Sequence, residues 1–540
     1  MGCILELPAL PIKIDLSWRT LFAAALLIFI VFGLATKLYF SVQLDFNSDM
    51  AGEGLQAMEI WKHNNYLLSG YYLPADDTFI FTELLPFQLI PQILTNYDPL
   101  TLKVVSFIVF GLAIASLSYV VFIVSGETVN ALLFAALAVN LSPAGYDFFA
   151  IPTTHIATIV FLGAMFILLL HMGKMDEALR EKAGKRKKKR AIPANIKWPL
   201  VMAIGALALL SALSDTIIFI WFIIPFVLAY LLFYRQKTPG LNIAVASMAS
   251  ASVLAYVFKT NFVREWVSQS FVNLDTSRIL SVTLPLSFKS LAVFLDTGLY
   301  RALDGHALWI LEAASIITLI ALVLYALKNA IDDKKRRFFY GVLLLSGAIM
   351  FASFLAMGLV KDMSQARYFT FTALTVFMLV AVSYRKDNRI YGALALVFLL
   401  LAAAYGLSYA RADWGHQPNA QDLGLIVFLK ENNLTYGYGS YFVSNTLTYL
   451  SGEDVTIRPV LFYRDGLKPN VWLECERWYW SVPEKAFILV DNSTIDDNSR
   501  QVIRSLTKSL NASEPLHYGK YDIYPTNSRA FKTSGVSPPS

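Results

Sequence analysis

The chain has 540 residues, of which 56% are hydrophobic and 16% are charged, and its formal net charge is +6. Soluble globular proteins contain about 45–50% apolar residues, so this composition excludes an ordinary soluble enzyme and indicates a protein that crosses a membrane many times. RNP, zinc-finger and basic-zipper patterns are absent, so the positive charge does not indicate nucleic-acid binding. Cys3 and Cys475 are too far apart in the sequence to form a CxxC metal pair or a disulfide framework.

Apolar segments long enough for membrane helices recur along the first three quarters of the chain. We predict about eleven of them, at about residues 21–40, 104–124, 129–141, 156–170, 198–213, 217–233, 241–257, 307–327, 339–357, 367–385 and 390–409. Under this count every strongly basic short loop, above all residues 180–190, lies on one side of the membrane. The positive-inside rule makes that side cytoplasmic, which places the N-terminus inside and the C-terminus outside. The predicted fold class is therefore a polytopic α-helical protein of the cytoplasmic or plasma membrane.

The composition becomes polar after Arg411. Short β-type runs at about 436–443, 455–460 and 486–490 alternate with turn residues, and residues 422–431 have the pattern of a short amphipathic helix. We therefore predict two domains, a membrane domain at 1–410 and a small α/β domain at 411–540 on the outer face.

A long acidic loop, residues 42–100, separates the first two apolar segments. It cannot cross hydrocarbon because of its carboxylates, which are Asp45, Asp49, Glu53, Glu59, Asp76, Asp77 and Glu83. Residues 52–61 and 81–94 are predicted to form two interfacial helices, the first of which lays Leu55, Met58 and Ile60 on the membrane surface. Tyr71 and Tyr72 between these helices belong to an aromatic stretch of the kind found at lipid headgroups, and we predict that they contact the substrate.

Asp49 lies just beyond the first membrane helix, in Asn47-Ser48-Asp49. An aspartate near water is ionised at neutral pH and can take a proton from an acceptor hydroxyl while a sugar is displaced from a phosphate leaving group. The sequence leaves a second interpretation open, in which Asp49 is only the N-cap of the helix that follows.

A first helix, a large outer loop headed by an aspartate, many spans and an outer C-terminal domain together resemble the GT-C superfamily of membrane glycosyltransferases. That superfamily includes the protein O-mannosyltransferases and the aminoarabinose transferases of lipid A. The stretch SDMAGEGLQAMEIWKHNNYLLSGYY carries the resemblance. It implies that Asp49 is the catalytic carboxylate, with Asp45 and Glu53 as neighbours that can take its place. The Asp-Glu pair of the mannosyltransferases is missing, because Met50 follows Asp49, and the subfamily stays open.

The resemblance also implies a donor phosphate site. GT-C proteins often carry an Arg-Tyr near the outer start of a late helix, and Arg367-Tyr368 lies at such a place, where the guanidinium can hold a phosphate in a bidentate manner. Arg264 and Lys289 are further candidates. A basic residue that only anchors a helix end at the interface is the alternative for each of them.

The second outer loop contains two further candidates for substrate binding, Asp147 and His155, because in the GT-C fold this loop approaches the first. Three interpretations of His155 stay open: it orients the acceptor, it binds a divalent ion together with Asp49, or it only begins a helix. Asp215 lies at the outer end of the fifth helix, where a carboxylate needs water or a partner. In the C-terminal domain we predict sugar or acceptor contacts, or an ordinary domain core, for Tyr438, Tyr441, Asn445 and Arg458.

The predicted function is an inverting glycosyltransferase. It moves a sugar from a polyprenyl-phosphate donor to an acceptor hydroxyl on a lipid, glycan or protein, on the outer side of the membrane. A transporter or flippase, or a polymerase or ligase of lipid-linked sugars, is the alternative; repeated halves and mid-membrane charges typical of transporters are not evident. No cofactor is firmly implied, no metal ligands are assigned, and a role for a divalent cation is left open.

Overall fold

The computed structural model is mostly helical and describes most of the chain. The described residues are 17–74, 78–143, 145–146, 155–184, 197–234, 239–261, 266–267, 279–294, 308–356, 369–385, 388–412, 414–463, 466–470, 472–480, 483–493, 497–509 and 514–527.

Seven helices in the described residues are long and apolar enough to cross a membrane. At 1.5 Å per residue, the 26-residue first helix is about 39 Å long, more than the hydrocarbon thickness of about 30 Å. The seven helices are Trp18–Gln43, Pro99–Ser125, Ile156–Gly184, Pro239–Asn261, Leu308–Asp332, Arg337–Ala356 and Arg389–Ala412.

The other four predicted membrane segments are also helical, but each is too short to meet the same length criterion. They are Thr128–Val139, Trp198–Ser214, Phe219–Phe233 and Thr370–Ser383. All eleven predicted segments are thus helices in the described part of the chain, and the predicted polytopic helical class is confirmed.

Small residues let these helices approach closely, as is usual inside membranes. A Cβ atom on Gly33 of the first helix would lie 2.7 Å from a Val139 methyl group, and one on Gly163 would lie 2.2 Å from the Ser116 hydroxyl oxygen. A larger side chain at either glycine would push the two helices apart.

The first outer loop forms two helices, as predicted. The first, Ser48–Trp61, is called the loop helix below, and the second runs from Ile80 to Leu94, with a π-helical start at Ile80–Gln88. The predicted location of the loop helix on the membrane surface is wrong, because Leu55, Met58 and Ile60 are only 2%, 2% and 6% exposed. Their apolar face is covered by protein instead, including residues from the C-terminal part of the chain.

That C-terminal part, residues 414–527, is called the C-terminal portion below. Its six-stranded sheet has the order β5-β4-β3-β7-β9-β8. The strands are β3 Tyr436–Gly439, β4 Thr456–Tyr463, β5 Gly466–Pro469, β7 Lys485–Asp491, β8 Leu516–Tyr518 and β9 Tyr521–Asn527. The helices are Ala420–Glu431, Tyr441–Leu450 and Asp497–Ser509. The predicted strand at 436–443 is too long: it ends at Gly439, because β3 and β4 are parallel and need the helix Tyr441–Leu450 as their crossover.

A second sheet of three short strands joins distant parts of the chain in the order β2-β1-β6. In it, β1 (Tyr71–Pro74) of the first outer loop pairs with β2 (Trp266–Val267) of the second long outer segment and with β6 (Glu474–Cys475) of the C-terminal portion. The second outer segment also contains the helical stretch Ile279–Thr283 and Leu284–Phe294. The strand pairing fixes the first loop against the C-terminal portion by backbone hydrogen bonds.

Candidate active site

Asn47 begins the loop helix and thereby positions Asp49. Its side-chain oxygen accepts hydrogen bonds from the backbone N–H groups of Asp49 and Met50, both at 3.0 Å. The alternative in which Asp49 is the N-cap is therefore wrong; Asn47 caps the helix, and Asn is among the best residues for that role. Asp49 is left in the first helical turn, where the helix dipole favours a negative charge and the side chain remains available for chemistry.

The side chain of Asp49 is held by a residue almost four hundred positions away. The Tyr441 hydroxyl donates a hydrogen bond of 3.0 Å to Asp49 Oδ1, and the Ser48 hydroxyl donates one of 2.6 Å to the Tyr441 carbonyl. Burial, followed by the charge of Asp49, raises the pKa of Tyr441 well above its usual range, so the phenol remains a neutral donor. Asp49 itself is half-buried. The arrangement presents an oriented carboxylate at the end of the helical bundle on which the C-terminal portion lies.

Asp45 has a different set of contacts. Its Oδ1 accepts a 2.7 Å hydrogen bond from the backbone N–H of Asn419 and lies 3.0 Å from His416 Nε2. Lys103 donates hydrogen bonds to the carbonyl oxygens of Val42 and Leu44, just before Asp45. The Asp45 contacts join the end of the first helix to the beginning of the C-terminal portion, and the Lys103 contacts join it to the helix Pro99–Ser125.

Glu53 lies one helical turn after Asp49 and is fully buried. In the described part of the chain neither of its carboxylate oxygens has a hydrogen-bond partner. Burial first, and then the nearby charge of Glu83, raises the pKa of Glu53 well above its usual range. This environment therefore favours the protonated form of the carboxyl group.

The two tyrosines predicted to bind substrate lie on β1. Tyr71 is 0% exposed, and its hydroxyl donates a 3.0 Å hydrogen bond to the Leu473 carbonyl. Tyr72 is half-buried. The visible contacts of Tyr71 join the first loop to β6, while substrate binding by either tyrosine stays a prediction.

A second polar cluster lies where the helix Ile80–Leu94 meets the C-terminal end of the helix Trp198–Ser214. His155 Nδ1 is 2.6 Å from Asp215 Oδ2, so Asp215 has the partner that the sequence demanded. His155 directly precedes the helix Ile156–Gly184, as the helix-start interpretation expects. The backbone N–H of Phe79 donates to the Ser214 carbonyl at 3.2 Å, which brings the first loop to this cluster.

Several predicted site residues cannot be placed in this geometry. Arg264, Arg367, Tyr368 and Asp147 lie outside the described residues. Lys289 is exposed on the helix Leu284–Phe294. Among the described residues, no group of three or more His, Cys, Asp and Glu side chains could hold a metal ion.

Of the four residues predicted in the C-terminal portion, only Tyr441 contacts Asp49. Tyr438 and Asn445 are buried inside the portion, as the ordinary-core interpretation expects. Arg458 lies on β4, with its guanidinium 4.4 Å from the centre of the Trp478 ring.

No protein-family model and no curated protein sequence matches the chain. Several solved structures match the chain. The chain is similar to ArnT from Cupriavidus metallidurans in the apo state, with a TM-score of 0.52, 12% identity and coverage of 97% of this chain and 99% of ArnT. The same protein bound to undecaprenyl phosphate gives a TM-score of 0.53 at 11% identity, with the same coverage.

The archaeal oligosaccharyltransferase AglB from Archaeoglobus fulgidus, in complex with an inhibitory peptide and a dolichol-phosphate, gives a TM-score of 0.47 at 13% identity, with coverage of 91% of this chain and 71% of AglB. A TM-score below 0.5 does not by itself establish a common fold. The ArnT similarity extends over nearly the whole of both chains, and ArnT belongs to the GT-C superfamily. The predicted resemblance is therefore confirmed at the level of the fold: the chain has an ArnT-like GT-C fold.

Proposed function

We propose that the protein is an integral membrane glycosyltransferase that moves a sugar from a polyprenyl-phosphate donor to an acceptor hydroxyl, with Asp49 as the general base. The observation that carries this proposal is the half-buried Asp49 carboxylate, fixed by the Asn47 cap and the Tyr441 hydroxyl at the head of the first outer loop. The ArnT-like fold supports it, since one of the two matched ArnT structures has undecaprenyl phosphate bound.

In the proposed reaction, Asp49 accepts the proton of the acceptor hydroxyl. The hydroxyl oxygen forms a bond to the anomeric carbon while the bond from that carbon to the phosphate oxygen breaks, and the polyprenyl phosphate leaves with the electron pair. Attack from the face opposite the phosphate inverts the anomeric configuration. A carboxylate has lone pairs on both oxygens, so Asp49 can accept from Tyr441 and from the acceptor hydroxyl at once.

The contacts of the two alternative bases favour Asp49. A general base must be within hydrogen-bond reach of the proton it takes and must be ionised. The Asp45 contacts with Asn419 and His416 hold the end of the first helix against the C-terminal portion, and Glu53 is fully buried, out of reach of an acceptor, with a pKa that burial raises. Asp49 combines partial exposure with a fixed orientation.

The donor phosphate requires a cation on the outer side. The proposal retains Arg367 with Tyr368 for this role, and Arg264 and Lys289 as further candidates, on the strength of the GT-C resemblance. The N-terminus is proposed to be cytoplasmic and the C-terminal portion to lie outside, where it can hold Asp49 on the side of the acceptor.

The test is sugar transfer in membranes that contain the wild type, Asp49→Asn or Asp45→Asn, supplied with radiolabelled polyprenyl-phosphate sugars. Asn keeps the size of Asp and its acceptor for Tyr441 but removes the base. Loss of general-base catalysis lowers rates by about 10²- to 10⁴-fold, so we expect Asp49→Asn to be folded and nearly inactive while Asp45→Asn keeps most activity.

Two outcomes contradict the proposal in different ways. Normal transfer by Asp49→Asn would show that the base is Asp45, Glu53 or another group. A wild type that transfers sugar from no donor would overturn the transferase function and favour a transporter, a flippase, or a polymerase or ligase.

A further inference from the structure

A cavity of about 580 Å³ lies between the ends of several membrane helices and is called the basic cavity below. Its walls come mainly from the helices Pro99–Ser125, Ile156–Gly184, Phe219–Phe233 and Arg337–Ala356 and from the link before the last of these. Among the described residues, no acidic side chain lines it, whereas the basic residues that do are Lys174, Lys334, Lys335, Arg336 and Arg337. This lining favours a negatively charged ligand.

The basic cavity lies at the end of the helical bundle opposite the C-terminal portion. The helix Pro99–Ser125 begins where the first helix ends, since Lys103 donates a hydrogen bond to the Leu44 carbonyl. Its 27 residues extend about 40 Å, and the carbonyl of its last residue accepts a 3.0 Å hydrogen bond from Arg336 Nη2. A ligand in the basic cavity is therefore about one membrane thickness away from Asp49, and the inference does not depend on the proposed function.

Arg336 belongs to the wall of the cavity. Its Nη1 donates a 3.2 Å hydrogen bond to the Val382 carbonyl and lies 3.7 Å from Asp333 Oδ2. Asp333 Oδ1 also accepts hydrogen bonds from the backbone N–H groups of Lys335 and Arg336, at 3.1 Å and 3.2 Å. The Asp333 carboxylate is thus balanced by Arg336, and it fixes the turn that carries the basic run 334–337.

The other four basic residues are exposed, and in the described part of the chain none of them forms an ion pair. Lys174 donates a 2.9 Å hydrogen bond to the Ile123 carbonyl, which orients the ammonium group and leaves its other N–H donors for a ligand. The Arg337 guanidinium lies 5.4 Å from the centre of the Phe233 ring, and a guanidinium stacked on a ring still presents its N–H groups at the edge. Lys334 and Lys335 extend from the turn beside them.

The remainder of the lining is apolar and extends to the surface that faces lipid. Leu232 is 65% exposed although it lies on a membrane segment, so its side chain contacts acyl chains where the cavity opens. The wall continues inward from there with Ile123, Val124, Leu169 and Leu170. A ligand with a charged group and a hydrocarbon chain matches both parts of the lining.

We propose that the basic cavity binds the phosphate headgroup of an anionic phospholipid of the bilayer, with the first part of an acyl chain against the apolar wall. Basic pockets between membrane helices are suited to anionic headgroups. A free anion would use only the charged half of the lining, and the sugar donor has to bring its phosphate to Asp49, at the other end of the bundle. The proposed orientation of the chain places the bound headgroup in the cytoplasmic leaflet.

Lipid binding by the purified full-length protein in a neutral detergent tests this proposal without donor or catalysis. The probes are short-chain phosphatidylglycerol and phosphatidylcholine with the same fluorophore on one acyl chain, compared by fluorescence anisotropy at low salt. Each basic residue close to an anionic lipid changes the affinity about fivefold, so we expect the wild type to prefer phosphatidylglycerol by about tenfold or more. Equal affinity for the two lipids would overturn the proposal.

A triple variant removes the charges that the lysines contribute to the cavity. It combines Lys174→Gln, Lys334→Gln and Lys335→Gln, all at exposed positions where glutamine keeps most of the side-chain volume. The preference for phosphatidylglycerol should disappear in this variant. A preference as large as that of the wild type would contradict the site.

A second triple variant is the matched control, with Lys328→Gln, Arg385→Gln and Arg389→Gln. These exposed residues lie at the same end of the bundle, where Asn329 donates a hydrogen bond to the Ser383 carbonyl, but they do not line the cavity. The control removes the same amount of charge and should keep the preference. An equal loss in both triple variants would overturn the proposal, because the attraction would then come from the surface charge in general.

Gly173→Met tests the cavity without changing any charge, and it serves if the first triple variant does not fold. A Cβ on Gly173 would lie 3.6 Å from the Tyr234 hydroxyl oxygen and 3.9 Å from a Leu241 methyl group, which are ordinary contact distances. The helix therefore accepts a side chain there, and the rest of the methionine fills the cavity. We expect phosphatidylglycerol to bind about tenfold more weakly, and unchanged binding would show that the lipid lies elsewhere.

Competition with unlabelled ligands identifies the source of the phosphate. Unlabelled phosphatidylglycerol should displace the probe, while glycerol 3-phosphate at the same concentration should not. Displacement by glycerol 3-phosphate would assign the cavity to a free phosphate compound, and displacement by undecaprenyl phosphate at lower concentrations than phosphatidylglycerol would assign it to the lipid carrier. Either result would overturn the proposal. Asp49→Asn should bind phosphatidylglycerol as the wild type does, so a failure of sugar transfer leaves this site in place.

Discussion

Tyr441→Phe tests whether the C-terminal portion positions the proposed base. The substitution removes one hydroxyl group and leaves the ring that packs beside Asp49. The lost hydrogen bond is 3.0 Å long and runs from a neutral phenol to a carboxylate. We expect the protein to fold normally and to lose catalytic rate, because the Asp49 side chain gains rotational freedom.

The magnitude follows from the type of hydrogen bond. A hydrogen bond to a charged group contributes about 1.5–3 kcal/mol, which corresponds to about a ten- to hundredfold change in rate if it acts in the transition state. Asp49 is half-buried, so water can replace part of the lost interaction. We therefore expect about a tenfold decrease in kcat, at the lower end of this range.

The assay is sugar transfer by purified protein over a range of donor concentrations. Tyr449→Phe is the matched control, because it also removes a buried phenol hydroxyl from the helix Tyr441–Leu450, but one that donates to Gln92 Oε1 of the first loop instead of Asp49. It should lower the thermal unfolding temperature and leave the kcat of the folded protein unchanged. Tyr441→Phe should lower kcat and leave the thermal unfolding temperature and the KM for the donor nearly unchanged.

Equal kcat in Tyr441→Phe and wild type would refute the positioning role of this hydrogen bond. A decrease in kcat that is matched by an equal decrease in Tyr449→Phe would refute it as well, since the effect would then come from a general loosening of the contact between the loop and the C-terminal portion.

Two further predictions concern stability. Because burial raises the pKa of Glu53, the folded state binds this proton more tightly than the unfolded state, and the free energy of unfolding falls as pH rises above the unfolded pKa of about 4.5. Glu53→Gln should therefore unfold at a higher temperature than the wild type at pH 8 and lose that advantage near pH 4. A difference in unfolding temperature that does not depend on pH would contradict a raised pKa. A Cβ on Gly54 would lie 2.2 Å from the Tyr449 ring, so Gly54→Ala should destabilise the packing of the loop helix on the C-terminal portion by about 1–3 kcal/mol. Gly111→Ala adds a Cβ in open space and should be neutral or stabilising. Thermal unfolding in detergent compares the two variants, and equal effects would contradict close packing at Gly54.

Much of the fold could be predicted because its cause is local. A hydrocarbon layer requires helices of about 20 apolar residues, and acidic residues such as those of the first loop are excluded from it. The helices, the polar C-terminal portion and the position of Asp49 at the head of the loop follow from these two requirements. The Asn47 cap could also have been found, because Asn lies two residues before Asp49 at the start of a helical pattern.

The surroundings of Asp49 could not be predicted in this way. Tyr441 is 392 residues from Asp49, and His155 and Asp215 are 60 residues apart, so neither pair leaves a local pattern. The contact between Glu59 and Arg477, which are 418 residues apart, was missed for the same reason, although the run 477–480, RWYW, is unusually rich in aromatic residues for a plain turn.

The sequence by itself determined which segments are apolar helices and which carboxylates lie outside the hydrocarbon, because hydrophobicity and the cost of buried charge act on each segment separately. Only the tertiary structure decided that the loop helix is buried under the C-terminal portion and that Tyr441 holds Asp49. An amphipathic helix can bury its apolar face equally well on lipid or on protein, and only the docking of a distant surface selects between them.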